Sequence, residues 1–375
     1  MNIAFYAPMK PPDDAIVSGD RETARLILKA LEAEGHRVDI VSRLRTWQRS
    51  PDEARFAALE AQSSEEVRRL LSSWSEGAAP DLWITYHLYH KAPDWIGPAV
   101  TSALGIPYVV VEGCRAAKHA SGPWAAGFAQ ADRALTAADA VAAMHAEDAE
   151  GLVPLLPPER LFRLTPFVDA ARFDAAASHV RDGDPAVLVA VAMMRGGDKE
   201  ASYRTLAEAL GRLAERRWRL LIAGDGPNRD EILPLFPAER IDWRGALAPE
   251  DIPGIYADGD LFVWPAINEA FGVALLEAQA AGLGVVAGAS GGVPDIVRHG
   301  ETGLIVPEGD ARAFAGAVAA LLDDPDLRRR FGRAAAGHVR ARHDIASARR
   351  ALADIIDSAF RTNRARRSVP AGAGR

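Results

Sequence analysis

Cysteine is almost absent from this sequence, which contains Cys114 alone among 375 residues. One thiol cannot form an intramolecular disulfide and has no cysteine partners for a zinc site, which favours a reducing compartment. Runs of about 18 uninterrupted apolar residues are also absent, so no membrane span is expected. The chain passes from a short apolar run directly into Lys10, Pro11 and Pro12, which is too polar for a signal peptide. We therefore expect a cytoplasmic protein.

An excess of basic residues is missing as well. The sequence has 44 Lys and Arg against 51 Asp and Glu, a formal net charge of −7 at pH 7, so no general attraction to nucleic acid is expected. With 49% hydrophobic and 25% charged residues the composition is that of a globular protein, which excludes disordered and collagen-like chains. At about 150 residues per domain, the length predicts two domains.

Both halves of the chain alternate short apolar runs with helical patterns. Strands that follow each other with a helix between them must run parallel, because a short loop cannot return the chain in the same direction. The pattern predicts an α/β fold of two Rossmann-like domains, residues 1–168 and 183–344, with a linker near 166–184 and a helix near 345–360 that completes the first domain. The predicted strands are 3–7, 38–42, 82–86, 108–111 and 140–144 in the first half, and 187–192, 219–223, 261–264, 284–286 and 304–306 in the second.

The last residues, 361–375, are rich in arginine and contain no acid. A solvated, disordered basic tail is the favoured interpretation. The alternative is a weak peripheral contact with the inner face of an anionic membrane. The arginines concerned are Arg361, Arg364, Arg366, Arg367 and Arg375.

Two carboxylates, Glu269 and Glu277, follow the predicted strand at 261–264. Eight residues rotate a helix by about 80° beyond whole turns, so one helix would not align the two side chains. Glu269 therefore fits the loop before the helix that contains Glu277, and the free amides after Gly272 offer an anion site at its N-terminus. A ribose and a sugar at the two ends of a diphosphate would satisfy this arrangement. The alternative is two ordinary surface glutamates.

Residues 269–277, with the sequence Glu-Ala-Phe-Gly-Val-Ala-Leu-Leu-Glu, resemble the E-x7-E motif of retaining family 4 glycosyltransferases. The flanking segments 257–260, 277–282, 291–295 and 300–306 resemble the same family. The likeness is strong over the C-terminal half and weak over the N-terminal half. It implies the GT-B fold, in which two Rossmann-like domains face a central cleft, with the donor bound mainly by the second domain and the acceptor by the first.

The resemblance implies roles for residues around the motif. Glu277 would bind the ribose hydroxyls of a nucleoside diphosphate sugar, and Glu269 would contact the transferred sugar near its anomeric carbon. Gly272 would let the backbone approach the diphosphate, between the donor-binding residues Phe271 and Val273.

Relatives also carry a basic pair after the first strand of the second domain. Lys199 matches the family position of one basic residue, and Arg195 lies one residue away from the family position of the other. The pair would offset the charge of the departing diphosphate without a metal or other cofactor. The alternative is a solvated loop pair. Gly224 belongs to a Gly-Asp-Gly-Pro turn, for which a structural role is favoured over donor contact. The nucleotide base is expected near Gly245 and Leu247.

The first domain offers fewer signals. His87 follows a predicted strand at the edge where ligands bind parallel sheets, and catalytic and structural roles are weighed evenly for it. His90 is expected to be structural. Acceptor-side candidates are Glu112, Lys118, His119 and Gly19.

Many relatives have a functional histidine after the fourth strand, where this chain reads Glu112-Gly-Cys114. Cys114 has no adjacent base and is expected to be a buried, inert thiol.

The resemblance implies an enzyme of glycan biosynthesis that transfers a hexosyl group to an acceptor hydroxyl with retention of configuration. The acceptor is open among sugars, lipids and small molecules. Two alternatives are a GT-B sugar-nucleotide epimerase and a non-catalytic sugar-nucleotide-binding protein.

Overall fold

The structure is a computed structural model that describes residues 1–16, 18–75, 77, 79–178, 184–270 and 272–368. Phe271 and Arg375, both singled out in the sequence, lie outside the described residues. The chain divides into two compact units. Unit 1 is Met1–Thr165 with Ala346–Arg375, and unit 2 is Pro166–Ile345.

Unit 1 contains a six-stranded parallel sheet with the order β2-β1-β3-β4-β5-β6. Its central strands are mostly apolar and almost entirely buried, as expected for strands covered by helices on both faces. The order reverses between β1 and β3, which creates a switch point at the carboxyl ends of these strands. The elements are β1 (Asn2–Tyr6), α1 (Gly19–Glu32), β2 (Arg37–Ser42), α2 (Glu53–Ser75), β3 (Leu82–Leu88), α3 (Ile96–Leu104), β4 (Tyr108–Gly113), α4 (Ala125–Ala137), β5 (Ala140–Ala143), α5 (Ala146–Leu152) and β6 (Leu161–Arg163).

Unit 2 repeats this plan with a second six-stranded parallel sheet, in the order β12-β11-β10-β7-β8-β9. Here the switch point lies between β7 and β10. The elements are α6 (Asp174–Ala177), β7 (Ala186–Val191), α7 (Asp198–Gly211), β8 (Trp218–Ala223), α8 (Arg229–Ile232), β9 (Ile241–Trp243), α9 (Ile252–Ala257), β10 (Leu261–Trp264), α10 (Val273–Ala280), β11 (Gly284–Gly288), α11 (Val293–Ile296), β12 (Gly303–Val306), α12 (Ala311–Asp323) and α13 (Pro325–Arg342); α14 (Ile345–Ser368) follows.

All ten predicted strands are present, with ends that differ by a few residues. The sequence missed β6 and β9, which are the outermost strands on one side of each sheet. Each has only three residues and is partly exposed, so neither shows the apolar run that identifies the buried strands.

The prediction of a linker from residue 166 is wrong for its first part. Residues 166–178 belong to unit 2, where Phe167 is 3% and Phe173 0% exposed. The Phe173 ring packs against Tyr256 with ring centroids 5.9 Å apart. Two isolated aromatic residues anchor this segment without forming a periodic pattern. Residues 179–183 lie outside the described residues.

The basic segment at the C-terminus also differs from its prediction. Residues 361–368 continue α14 and are not a disordered tail. Arg366 donates hydrogen bonds to Ala137 O at 2.8 Å and Asp139 Oδ1 at 3.1 Å, and Arg367 donates to Gly105 O at 2.5 Å. Contacts with unit 1 therefore hold this end of the helix. In the described part of the chain, no helix combines the length and apolar character needed to cross a membrane.

Candidate active site

The switch point of unit 2 brings together a lysine and a glutamate. Lys199 lies in the first turn of α7, after β7, and Glu269 lies in the loop after β10. The Lys199 ammonium forms an ion pair with Glu269 Oε2, and the two side chains are only 19% and 15% exposed. The indole of Trp264 donates to the same oxygen at 3.2 Å, and Lys199 Nζ lies 5.4 Å from the ring centroid. We call Lys199, Trp264 and Glu269 the unit 2 cluster.

The loop that carries Glu269 has an unusual backbone. Ala266 and Asn268 adopt positive φ values of 55° and 45°, which residues other than glycine rarely do. Hydrogen bonds hold this conformation: Asn268 Nδ2 donates to Asp198 Oδ2 at 3.0 Å, and the Glu269 amide donates to Ser290 Oγ at 3.1 Å. Strained loops that persist under such constraints are typical of ligand-binding sites.

Glu277 lies on α10, and the hydroxyl of Tyr256 donates to its Oε2 at 2.9 Å. Gly272 precedes Val273, the first residue of this helix, with a φ of 66°, and as a glycine it has no side chain that could cap the first amides. Helix α10 therefore begins with amide donors at the loop that carries Glu269, as the sequence predicts.

Arg195 differs from Lys199 in its surroundings. It lies exposed in the loop between β7 and α7, and it forms no salt bridge within the described part of the chain. The structure thus brings Lys199, but not Arg195, into the ion pair with Glu269.

The residues predicted near the nucleotide have clear structural functions. A side chain at Gly224, whose φ is 143°, would collide with the carbonyl of Ala192. The Gly224 amide donates to Gly245 O at 2.8 Å, and Gly245 has a φ of 70°. The indole of Trp243 donates to Gly224 O at 2.8 Å, and Leu247 packs partly buried on the core. These contacts explain both glycines without a ligand, and donor contact for them stays a prediction.

A second polar cluster lies at the switch point of unit 1. His87 is near the end of β3, Glu112 is near the end of β4, and Asp20 is in the first turn of α1, after β1. His87 Nδ1 lies 2.5 Å from Asp20 Oδ1 and 3.8 Å from Glu112 Oε1. His87 and Glu112 have positive φ values of 58° and 60°. We call Asp20, His87 and Glu112 the unit 1 cluster.

Burial and charge shift the protonation of this cluster. Burial by itself lowers the pKa of His87, but the carboxylates of Glu112 and Asp20 outweigh it and raise the pKa to about 9. Burial raises the pKa of Glu112 to about 7, although the imidazolium of His87 acts against this rise. At neutral pH the cluster therefore holds a protonated His87 beside a Glu112 that is partly ionised.

Asp20 is the functional candidate that the sequence missed. It follows Gly19, the first residue of α1, whose N-cap Ser18 accepts a hydrogen bond from the Arg21 amide at 3.2 Å. An acid in a first helical turn is commonly a partner of the helix dipole, so its sequence context did not distinguish it. The available signal was its position directly after the β1 loop, at the predicted sheet edge.

Cys114 follows the unit 1 cluster in sequence. Burial raises the pKa of its thiol, which donates weakly to Glu112 O at 3.8 Å, so the group has little thiolate character. His87, Glu112 and Cys114 present three potential metal ligands within 4.8 Å of one another. Because Nδ1 of His87 already faces Asp20 at 2.5 Å, an ion pair accounts for the arrangement.

The remaining acceptor-side candidates lie after β4. Lys118 and His119 belong to a short turn, Ala117–His119, and the His119 ring stacks on His90 with centroids 3.8 Å apart. The structure therefore groups these two residues with His90.

The family comparison finds a match in unit 2. Residues 174–338 match the sequence profile of the family described as "Glycosyl transferases group 1". The D-inositol 3-phosphate glycosyltransferase of Corynebacterium efficiens is 38% identical over 143 residues, which cover 36% of this chain and 34% of that protein. The enzyme of the same name from Thermobispora bispora is 32% identical over 264 residues, which cover 64% and 60%. The chain thus spans only part of the curated relatives' length.

Solved structures of similar fold cover almost the whole chain. Sucrose-phosphate synthase from Thermosynechococcus elongatus has a TM-score of 0.74 at 19% identity, over 96% of this chain and 99% of that one. The Anabaena protein HepE, in a complex with UDP, has a TM-score of 0.72 at 16% identity, over 96% and 100%. These neighbours confirm the predicted GT-B fold, and together with the family match they confirm the resemblance to GT-B glycosyltransferases.

Proposed function

We propose that this chain, which has the GT-B fold and a glycosyl transferases group 1 match in its second unit, transfers a hexosyl group from a nucleoside diphosphate sugar to an acceptor hydroxyl. The unit 2 cluster is the observation that carries this proposal. It places an ammonium and a carboxylate at the switch point of a parallel sheet, where ligands bind this class of fold.

Charge compensation at the diphosphate is the first function that we assign. When the bond between the sugar and the diphosphate breaks, negative charge develops on the leaving phosphate, and a fixed cation lowers the barrier. Lys199 is held in place by Glu269 and the Trp264 ring, and the exposed Arg195 can add a second cation. We propose that these side chains make a metal or another cofactor unnecessary.

Donor recognition is assigned to the glutamates and to the start of α10. Glu269 would contact the transferred sugar, and Glu277, oriented by Tyr256, would accept hydrogen bonds from the ribose hydroxyls. The amides after Gly272 would bind a phosphate at the helix N-terminus. The eight-residue separation between the glutamates then matches two ends of one ligand.

Unit 1 is assigned to the acceptor, with His87 as its catalytic candidate. We propose retention of configuration by departure and attack on the same face. The bond from the sugar carbon to the diphosphate oxygen breaks, the acceptor oxygen forms the new bond, and its proton passes to the leaving phosphate.

The test is a panel of UDP-, GDP- and dTDP-sugars incubated with the full chain and mixed acceptors. We expect nucleotide release with one donor class and a new glycoside whose anomeric configuration, read by NMR, equals that of the donor. Donor conversion without an acceptor would indicate an epimerase. Donor binding without conversion would indicate a binding protein, and no binding to any donor would refute the proposal.

A cytoplasmic location with weak peripheral membrane contact completes the proposal. Arg361 and Arg364 are exposed on α14 and are the arginines available for such a contact. Sedimentation with anionic liposomes at low and moderate salt tests it, since a surface attraction weakens as salt rises.

A further inference from the structure

A cluster of cationic and aromatic side chains lies beyond the unit 1 cluster along the same sheet edge. Three segments supply it: the residues after β3, the short turn after β4, and the start of α4. We call it the basic patch. Its members are His90, Lys91, Lys118, His119 and Trp124.

Direct contacts join four of the five members, and the charge of Lys118 acts on the two histidines. The rings of His90 and His119 stack with centroids 3.8 Å apart and an interplanar angle of 23°. Trp124 meets His90 edge to face at 5.4 Å, and Lys91 Nζ lies 5.4 Å from the Trp124 ring centroid. The patch is therefore a defined surface and not a set of independent side chains.

Among the described residues, no anion compensates the charge of the patch. Neither Lys91 nor Lys118 forms a salt bridge with any residue that the structure describes. Burial and the neighbouring cations lower the pKa of His90 to about 4, and they lower that of His119 as well. The groups that act on His90 are His119, Lys91 and Lys118, and no carboxylate is among them. Four groups that can carry positive charge thus converge without a partner.

Two further features favour an anionic ligand over solvent. His90 Nε2 is shielded from water, yet no side chain or backbone group in the described residues hydrogen-bonds to it. The side chain of Trp124, the residue before the 13-residue helix α4, does not cap the first amides, of which Ala125 donates to Gly122 O at 3.1 Å. The amides that follow Ala125, and the His90 nitrogen when it is protonated, can be satisfied by a ligand with several acceptor oxygens.

We propose that the basic patch binds a phosphate group carried by the acceptor. A phosphate oxygen can accept from each lysine ammonium and from a protonated imidazole, and Trp124 offers an apolar face for the sugar or lipid attached to the phosphate. The assignment to the acceptor rests on the proposed function, because unit 1 is the acceptor unit only in a glycosyltransferase. The binding of phosphate does not depend on it.

The test is a titration of inorganic phosphate into the full chain, followed by NMR of the imidazole nitrogens of His90 and His119. An anion bound beside these rings acts against the shift, so we expect both pKa values to rise by about one unit or more. At pH values where phosphate is already the monoanion, it should therefore bind more tightly as pH falls further. Reading the two rings separates this site from phosphate bound beside Lys199, and potassium chloride at equal ionic strength controls for screening.

The variants Lys91→Gln and Lys118→Gln, made together, should weaken phosphate binding about tenfold or more, as expected for the loss of charged hydrogen bonds. Lys29→Gln, on the exposed surface of α1, is the matched control and should bind like the parent protein. Rings that respond equally to chloride, or a double variant that binds phosphate like the parent, would overturn the proposal.

Two further arms identify the source of the phosphate. Glucose 6-phosphate represents a soluble acceptor, and phosphatidylcholine vesicles with and without phosphatidic acid represent a lipid. The source is the ligand whose binding is lost in the double variant and is displaced by inorganic phosphate. If donor turnover fails while phosphate still shifts the rings, the proposed function falls and this site stands; the reverse result overturns this site alone.

Discussion

The two units place polar clusters at the same point of two similar sheets, yet the clusters differ in charge. In unit 2, one ammonium faces one carboxylate, and Lys199 and Glu269 compensate each other. In unit 1, two carboxylates face one imidazole, which shifts the pKa of His87 to about 9 and that of Glu112 to about 7. The first arrangement fixes a charge, whereas the second changes its charge near neutral pH.

The sheet edges that hold the two clusters share a backbone feature, which is a positive φ at residues other than glycine. Four residues other than glycine have a positive φ in the described part of the chain, and all lie at these two sheet edges: His87, Glu112, Ala266 and Asn268. Each such residue costs about 1–3 kcal/mol, so their concentration at both switch points favours a functional origin. The comparison indicates that the same sheet edge holds a fixed ion pair in unit 2 and a cluster that titrates near neutral pH in unit 1.

Breaking the unit 2 cluster should have the largest effect. Lys199→Ala removes the ammonium that would face the departing diphosphate, and kcat should fall by about 10²–10³. Arg204→Ala, an exposed arginine on the same helix, is the matched control and should leave kcat unchanged. Steady-state kinetics with the donor identified by the panel measure this. A change of less than about threefold would remove Lys199 from the mechanism.

The unit 1 cluster should respond to pH instead. The folded pKa of His87 lies above its ordinary value of 6.5, so its stabilising contribution is present below 6.5 and is lost as pH rises through about 9. The raised pKa of Glu112 acts in the same direction between 4.5 and about 7. We expect a loss of about 2 kcal/mol in the free energy of unfolding from pH 6.5 to 9.

Urea denaturation at several pH values measures this loss, and His87→Asn should flatten the pH dependence. Imidazole NMR of the Glu112→Gln variant should show the His87 pKa lower by about one unit or more. An unchanged pKa in that variant would mean that Glu112 does not act on His87.

A smaller effect is expected at Glu277, the second glutamate of the segment 269–277. Glu277→Gln keeps the shape of the side chain and an acceptor for the Tyr256 hydroxyl, but it removes the charge that would bind the ribose. Donor affinity should fall about tenfold, as expected for one charged hydrogen bond. Calorimetric titration checks this, with the exposed Glu301→Gln as control. Equal affinities would leave Glu277 with a structural role only.

The smallest expected effect is a local loss of stability that is confined to unit 1. Arg366→Ala removes two hydrogen bonds from a side chain that is 49% exposed, so the cost should be about 1 kcal/mol. Hydrogen exchange should show less protection at β5 and none of this loss at β10. Arg361→Ala, exposed on the same helix, is the control. Equal losses in both sheets would show that the helix does not stabilise unit 1 selectively.

Lys199 and Glu269 lie 70 residues apart, so their distance in sequence does not connect them. They could be singled out because Glu269 and Glu277 frame one short motif and the family resemblance connects Lys199 to that motif. The unit 1 cluster draws on three distant loops, and Asp20 lies 67 residues from His87. A single sequence shows that each residue follows a strand, but it does not show which of the loops meet.

The same distinction explains the fold. Buried strands such as β4 contain a run of apolar residues, and this run predicts the strand from the sequence. The anchors of residues 166–178 and of α14 were missed, because Phe173 packs singly and Arg366 and Arg367 bond largely to backbone carbonyls. Neither kind of contact leaves a periodic pattern in the sequence.

The division of unit 1 between the two ends of the chain has a consequence for synthesis on the ribosome. Residues 1–165 emerge first, but α14 emerges only after all of unit 2. Until then Asp139, whose side chain is 3% exposed in the folded protein, lacks the bonds from Asn363 and Arg366. Unit 2 can thus fold before the last helix of unit 1 has been synthesised. Unit 1 is therefore begun first and completed last.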